Sequence, residues 1–359
     1  MNVLEIIPQL IRASIEKDDK TVEVISLTMA NILRKKTPII ADEIEQILFN
    51  KNIGNNAYRS IGLSDIPKDR KSEERLLNVR EPSDMTPPVL NNENADKLNQ
   101  FLIEQDKKFE LLKLDLKPVN SLLLFGEPGV GKTYSANWLA SMLKKPLITL
   151  DLATIMSSYL GETGNNIRKI LDYAKENNCV LFLDEFDAIA KTRTDGQELG
   201  EMKRIVNVLL KELEEWPVNS IVIAATNHEE LLDKAIWRRF DLKIHLNMPD
   251  YLAIYQVIER EFSQFNHLNY EILKLLSRVL EGQNCAEVVR TCTEIKRAYV
   301  LYQRSIDDLI IERCNKYILN SNKQEKIKIV QQLRDMKINV NKISELTGIP
   351  TSTIYKYIN

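Results

Sequence analysis

The stretch "GEPGVGKT", residues 126–133, spaces three glycines ahead of a lysine and a threonine. It fits the pattern GxxxxGK[ST], and these are the residue types a polyphosphate requires. Glycines let backbone amides approach phosphate oxygens without side-chain clash. A helix opening at the end of such a loop adds favourable partial charge. In this reading Gly126, Glu127, Pro128, Gly129, Val130, Gly131 and Tyr134 surround the phosphates. Lys132 offsets β/γ-phosphate charge, and the Thr133 hydroxyl ligates Mg²⁺.

Further along, "CVLFLDEFDAI" carries four apolar residues, Val180 to Leu183, into Asp184-Glu185. Adjacent acids at a strand's carboxyl end could cap a helix. Some fifty residues after a phosphate loop, they also suit an NTPase site, Asp184 holding Mg²⁺ and Glu185 deprotonating the attacking water. "IVIAATN" ends in Asn227, whose amide either forms a turn or holds the γ-phosphate or water. In "LLDKAIWRRFD", Arg238 and Arg239 sit between Trp237 and Phe240. They read as solvated surface arginines or as fingers reaching a neighbouring subunit's γ-phosphate, a role that implies a ring or filament.

Positioning these groups takes alternating strands and helices. "SLLLFG", "PLITLDL", "CVLFLDEFD" and "SIVIAATN" are short continuous apolar runs, as in a parallel sheet covered on both faces. Helical patterns separate them. The expected fold is α/β: a P-loop NTPase parallel sheet over residues 95–249, with a helical lid over 250–303. Residues 1–50 read as a small helical segment, with a third helix at 42–50, and 51–94 as a linker of turns and extended chain. A connecting helix and a C-terminal trihelical module are expected over 304–359.

Composition narrows the function classes. The chain has 359 residues, 28% of them charged, and a net charge of −2; it is no polycation built to coat nucleic acid or membrane. Four cysteines without CxxC spacing suit buried thiols in a reducing cytosol. The N-terminus lacks a signal-peptide apolar region and no run is long enough to span a membrane, so a cytoplasmic location is expected.

In their order, "GEPGVGKT", "FLDEFDAI", "AATN" and "LDKAIWRRFD" resemble the AAA+ ATPases, and within them the AAA family of protein-remodelling machines. The resemblance covers residues 95–300. It implies ATP and Mg²⁺ as ligands, a homo-oligomer, commonly a hexamer, and a protein substrate. It implies nucleotide contact by Lys132 and Thr133, Mg²⁺ at Asp184, hydrolysis by Glu185, a sensor role for Asn227 and a finger at Arg238 or Arg239. "GQNCAEVVR" is similar to the opening of the family's lid helix, with Asn284 in place of the usual serine; the role of Arg290 stays open. "SSYLGETGNNIRK" places Tyr159 and Leu160 among small and polar residues. It resembles the family's pore loop, in which the aromatic grips an extended polypeptide; the other reading packs Tyr159 into the core. The order of a helical N-segment, linker and ATPase resembles bacterial single-ring ATPases. Some of these are encoded beside subtilisin-like peptidases in anti-phage loci, which makes a peptidase an implied partner.

The tail, "NKISELTGIPTSTIYKYIN", has the spacing of a helix-turn-helix and resembles the DNA-binding tail of resolvase/invertase recombinases. Residues 322–359 hold seven Lys/Arg against three acids, the electrostatic footprint of a nucleic-acid contact. Thr351, Ser352, Thr353, Tyr355 and Lys356 are the candidate DNA residues; the alternative is a trihelical protein-contact module. The combined expectation is an ATP-hydrolysing ring motor that threads protein and is targeted to DNA or a DNA-bound partner. Its rivals are a DNA-stimulated helper of transposition or replication acting on duplex, and a nucleotide-gated DNA-binding regulator.

Overall fold

Apolar runs at 121–125, 147–151, 180–184 and 221–226 become the centre of one sheet. The computed structural model describes residues 3–15, 19–34, 37–38, 40–41, 44, 78–152, 163–188, 209–232, 234–265, 268–335 and 338–358. Tyr159, Leu160 and most of the third N-terminal helix lie outside them. The strands are β1 (Asn78–Arg80), β2 (Ser121–Phe125), β3 (Leu147–Asp151), β4 (Val180–Asp184), β5 (Ile221–Thr226) and β6 (Leu242–His245). Among the described residues they lie in the order β1-β3-β4-β5-β2-β6. All neighbours are parallel except β1, which runs antiparallel to β3.

β1 departs from the linker expected over 51–94. Its three residues, Asn-Val-Arg, carry too little apolar signal to mark a strand, and only Val79 is half-buried. Backbone pairing with residues 147–149 holds it at the sheet edge, where a short strand limits further pairing. Arg80 Nη1 donates to Asn137 Oδ1 at 2.8 Å, tying the edge to α5 (Lys132–Met142).

Successive strand residues point to opposite faces, and both faces are covered, which is why the runs are continuously apolar. Leu123, Leu181, Leu183 and Val222 meet Ile167, Ile170 and Leu171 of α6 (Thr163–Glu176) and Trp216. On the other face Leu122, Leu124, Phe182 and Ile223 meet Leu139 of α5 and Leu98 and Phe101 of α3 (Asn92–Asp106). Ahead of β2 the chain forms two helices, α3 and α4 (Lys108–Lys113), which break at Lys107.

Beyond the sheet come α8 (Tyr251–Glu261), α9 (Tyr270–Val279) and α10 (Cys285–Tyr302), then α11 (Ile306–Asn320), α12 (Lys323–Asp335), α13 (Val340–Thr347) and α14 (Thr351–Ile358); α7 (Lys234–Trp237) precedes β6. One continuous apolar cluster runs from Ile254 through Val288 and Cys314 to Ile354. The segments 250–303 and 304–359 therefore share a core. At the other end α1 (Val3–Ile15) and α2 (Asp19–Arg34) bury Ile6, Ala13, Leu27 and Ala30. Arg34 Nη1 donates to the Glu176 carbonyl at 3.1 Å, setting a cation at the negative end of α6.

Cys179, Cys285, Cys292 and Cys314 are free thiols. Burial pushes Cys179 and Cys292 up to about 12, and raises Cys314 further. Among the described residues no helix is long and apolar enough to cross a membrane.

Candidate active site

β2 ends at Phe125 and the chain turns at once into the glycine loop. Gly126 has φ +137°, and a Cβ there would lie 2.2 Å from the Leu246 carbonyl oxygen. Gly131, at φ +102°, is the N-cap of α5. Both backbone conformations exclude ordinary side chains, which explains two of the glycine positions. Lys132 follows directly, and its Nζ donates to the Gly126 and Glu127 carbonyls at 2.7 and 2.8 Å. Burial lowers its pKa, opposed by the charges of Asp184, Asp187 and Glu127.

Asp184 ends β4 beside the loop. Burial raises its pKa; against that, it accepts a hydrogen bond from the Glu185 N–H at 3.0 Å, and the nearby Thr133 hydroxyl also lowers it. Glu185 is exposed and adopts φ +51°, a left-handed conformation that turns its side chain out of the strand direction. Behind it, buried Asp187 accepts from the Thr226 hydroxyl at 3.1 Å, and that oxygen accepts from the His228 N–H at 3.0 Å. This pair fixes the turn on which Asn227 sits. Asp187 was not singled out from sequence; the only signal was its place beside Asp184-Glu185.

The lid reaches the loop at one turn. Asn284 is the N-cap of α10, accepting from the Glu287 N–H at 2.9 Å. It does the work of the serine usual there. A Cβ added to Gly129 would lie 2.6 Å from the Asn284 side chain, and the Ala286 N–H donates to the Gly129 carbonyl at 3.0 Å. Asn284→Ala is expected to cost about 1 kcal/mol of helix stability and Asn284→Ser only a few tenths, read as faster hydrogen exchange in the first turn of α10.

These parts enclose a cavity of about 830 Å³. Pro128, Gly129, Val130, Gly131, Lys132, Thr133, Tyr134, Asp184, Glu185 and Asn227 line it, with Cys285, Ala286 and Arg290 from the lid. Arg290 is exposed and paired with Glu287 at 2.8 Å. Pro88 and Val89 form a wall not read from sequence. The Tyr134 hydroxyl donates to the Thr86 carbonyl at 2.8 Å, and Arg260 Nη1 donates to the Pro87 carbonyl at 3.1 Å. The Arg260 guanidinium lies 5.2 Å from the Tyr134 ring centre.

Arg238 and Arg239 stand elsewhere: neither lines the cavity. Trp237 packs edge-on against Phe125 and Phe240 against Phe186, so the apolar flanks are anchors. Arg239 pairs with Glu214 at 2.5 Å. Arg238 is exposed and, among the described residues, forms no ion pair.

In the tail, α13 and α14 are joined by residues 348–350, with Gly348 at φ +67°. Ile354 is buried, Thr353 half-buried, and Thr351, Ser352, Tyr355 and Lys356 are exposed on α14.

A parallel sheet whose inner strand delivers a glycine loop to a helix N-terminus, closed by a helical lid, defines a nucleotide-binding domain of the P-loop NTPase class. Residues 122–248 match the family model "ATPase family associated with various cellular activities (AAA)". The chain is 38% identical over 216 residues to the uncharacterized AAA family ATPase y4kL of Sinorhizobium fredii, covering 60% of this chain and 65% of that protein, so the match spans just under two thirds of that relative's length. A proteasome-activating nucleotidase of Methanopyrus kandleri is 28% identical over 312 residues, 83% of this chain and 71% of that one. Among solved structures, the FIGL-1 AAA domain shares the fold, with TM-score 0.56 and 18% identity over 73% of this chain and 93% of that one.

Proposed function

We propose that this chain hydrolyses ATP in the cavity between sheet and lid, as one subunit of a ring, a hexamer, that pulls protein through its pore. The observation that carries the reading is the division of the site. The cavity gathers phosphate loop, paired acids and Asn227, while the arginines expected to complete it lie outside. A neighbouring subunit's exposed Arg238 supplies the missing cation; Arg239, held by Glu214, keeps the segment in place.

The residues present fit nucleotide and Mg²⁺. The loop conformations demand glycine, and Lys132 already aims its ammonium at loop carbonyls. The Thr133 hydroxyl and the Asp184 carboxylate both line the cavity, close enough for the hydroxyl to lower the carboxyl's pKa. A cation that keeps several waters and binds phosphate needs no larger protein ligand set, and among the described residues no cluster of three or more metal-ligating side chains exists. When bound, Mg²⁺ would offset charge on the phosphate oxygens. Lys132 shares that charge, Glu185 takes the proton of the attacking water, and Asn227 orients it. A solved structure of the FIGL-1 AAA domain in complex with ADP has TM-score 0.51 to this chain and 22% identity over 66% of it. That relative's ligand supports the nucleotide assignment.

Protein threading is assigned to Tyr159 and Leu160, and the relatives named as proteasome-activating support it. The tail targets the ring: the exposed face of α14 has hydroxyls and Lys356 for phosphate and base edges of duplex DNA. A role in anti-phage defence with a peptidase partner is the biological setting proposed. The second reading, a DNA-stimulated helper of transposition or replication, draws on that same face. Tyr159→Ala separates them. For a threading motor, the variant is expected to lose unfolding of a tagged protein substrate while keeping basal ATP turnover. Full unfolding activity in that variant, with turnover stimulated by duplex DNA, favours the second reading.

A further inference from the structure

Glu281 opens the lid turn that delivers Asn284 to the phosphate loop, and three donors converge on its carboxylate. Arg278 Nη1, from its own helical end, lies 3.3 Å from Oε2. Gln332 Nε2 donates to the same oxygen at 3.3 Å, and Lys328 Nζ lies 4.0 Å from Oε1. Gln332 and Lys328 both belong to α12, in the C-terminal tail. The turn itself is short and defined. The Gln283 N–H donates to the Leu280 carbonyl at 3.0 Å, and Gly282 takes φ +88°. Two residues later Asn284 presses on Gly129, where even one added methyl would meet it at 2.6 Å. Arg278 also stacks 3.5 Å from the Tyr251 ring centre, so the turn is braced against the start of α8 as well.

We propose that α12 positions the lid turn through Glu281 and thereby sets the affinity of the phosphate loop for nucleotide. The inference deepens the nucleotide reading above and rests on it. The physical ground is the difference in tolerance at the two ends of the turn. At Glu281 the contacts are part-exposed and charge-assisted, so they contribute little to global stability. At Gly129 the contact is tight, so a displacement of a few tenths of an ångström at the turn changes how the loop amides and the lid meet a phosphate chain. A weak contact in the tail is thus read out where packing leaves no slack. It follows that whatever engages the tail acts on the site through the shared core and this turn.

The test uses the full chain and a fluorescent ADP analogue, mant-ADP, titrated at equilibrium alongside thermal unfolding. Lys328 is 65% exposed, so Lys328→Glu folds, and it sets a second carboxylate against Glu281. It is expected to weaken mant-ADP binding about fivefold or more without moving the unfolding midpoint. Glu281→Lys is expected to act in the same direction. The charge-swapped double variant, Glu281→Lys with Lys328→Glu, is expected to bind mant-ADP more tightly than either single variant but short of the parent, because the swap restores the contact with position 328 and leaves Arg278 facing a like charge. Unchanged affinity in Lys328→Glu, or a double variant no tighter than either single one, overturns the proposal. A parent chain that does not bind mant-ADP overturns the nucleotide reading itself, and the two failures are told apart by that first titration.

Discussion

Replacing Arg238 with alanine is expected to lower steady-state ATP hydrolysis by about 10³-fold or more, with mant-ADP affinity unchanged. The reasoning is spatial. Arg238 is exposed and absent from the cavity of its own chain, so in the proposed ring it would stabilise transition-state charge across a subunit boundary. A cation placed there acts on charge that develops during transfer and hardly at all on the ground state. Arg239→Ala provides the contrast. It breaks the pair with Glu214 and leaves the Arg239 site without its cation, so its expected effect is on local stability. A loss of hydrolysis larger for Arg239→Ala than for Arg238→Ala reverses the assignment. Malachite-green phosphate release with saturating ATP and Mg²⁺ measures both.

Glu185→Gln is expected to bind ATP as tightly as the parent while slowing its cleavage by about 10²–10⁴-fold. Glutamine keeps the shape and the hydrogen-bonding reach but cannot take a proton. The left-handed backbone at Glu185 is as accessible to glutamine as to glutamate, so the fold is unaffected. Single-turnover quench measurements then show retained, uncleaved ATP, and the ATP-locked subunits remain assembled on sizing columns. Cleavage at the parental rate moves the base elsewhere.

What the sequence made legible was local. The phosphate loop announces itself because glycine positions, lysine and hydroxyl lie within eight residues, and the backbone angles at Gly126 and Gly131 require those glycines. The paired acids and Asn227 were legible because each follows an apolar run that ends at the same sheet edge. Contacts across long separations were not. Arg260 meets Pro87 across 173 residues, and neither residue carries a local mark of that meeting. The shared core of lid and tail was hidden for a related reason. Helical spacing within each of α11, α12 and α13 shows that a face is buried but not what covers it. β1 escaped notice because a three-residue edge strand holds its place through backbone pairing, which leaves no side-chain pattern. The difference between the two arginines is also tertiary: Arg239 is half-buried and paired with Glu214, and Arg238 is exposed.

Co-assembly of two inactive variants probes completion of the site across the subunit boundary. One carries Lys132→Ala, which empties its own pocket of the phosphate cation but keeps Arg238. The other carries Arg238→Ala and keeps its pocket. Each alone is expected to be inactive, and co-expressed rings are expected to regain a substantial fraction of parental ATP hydrolysis, since half-sites from the two subunits complement. Mixed rings that stay inactive, or an Arg238→Ala chain that hydrolyses ATP at the parental rate by itself, would contradict it.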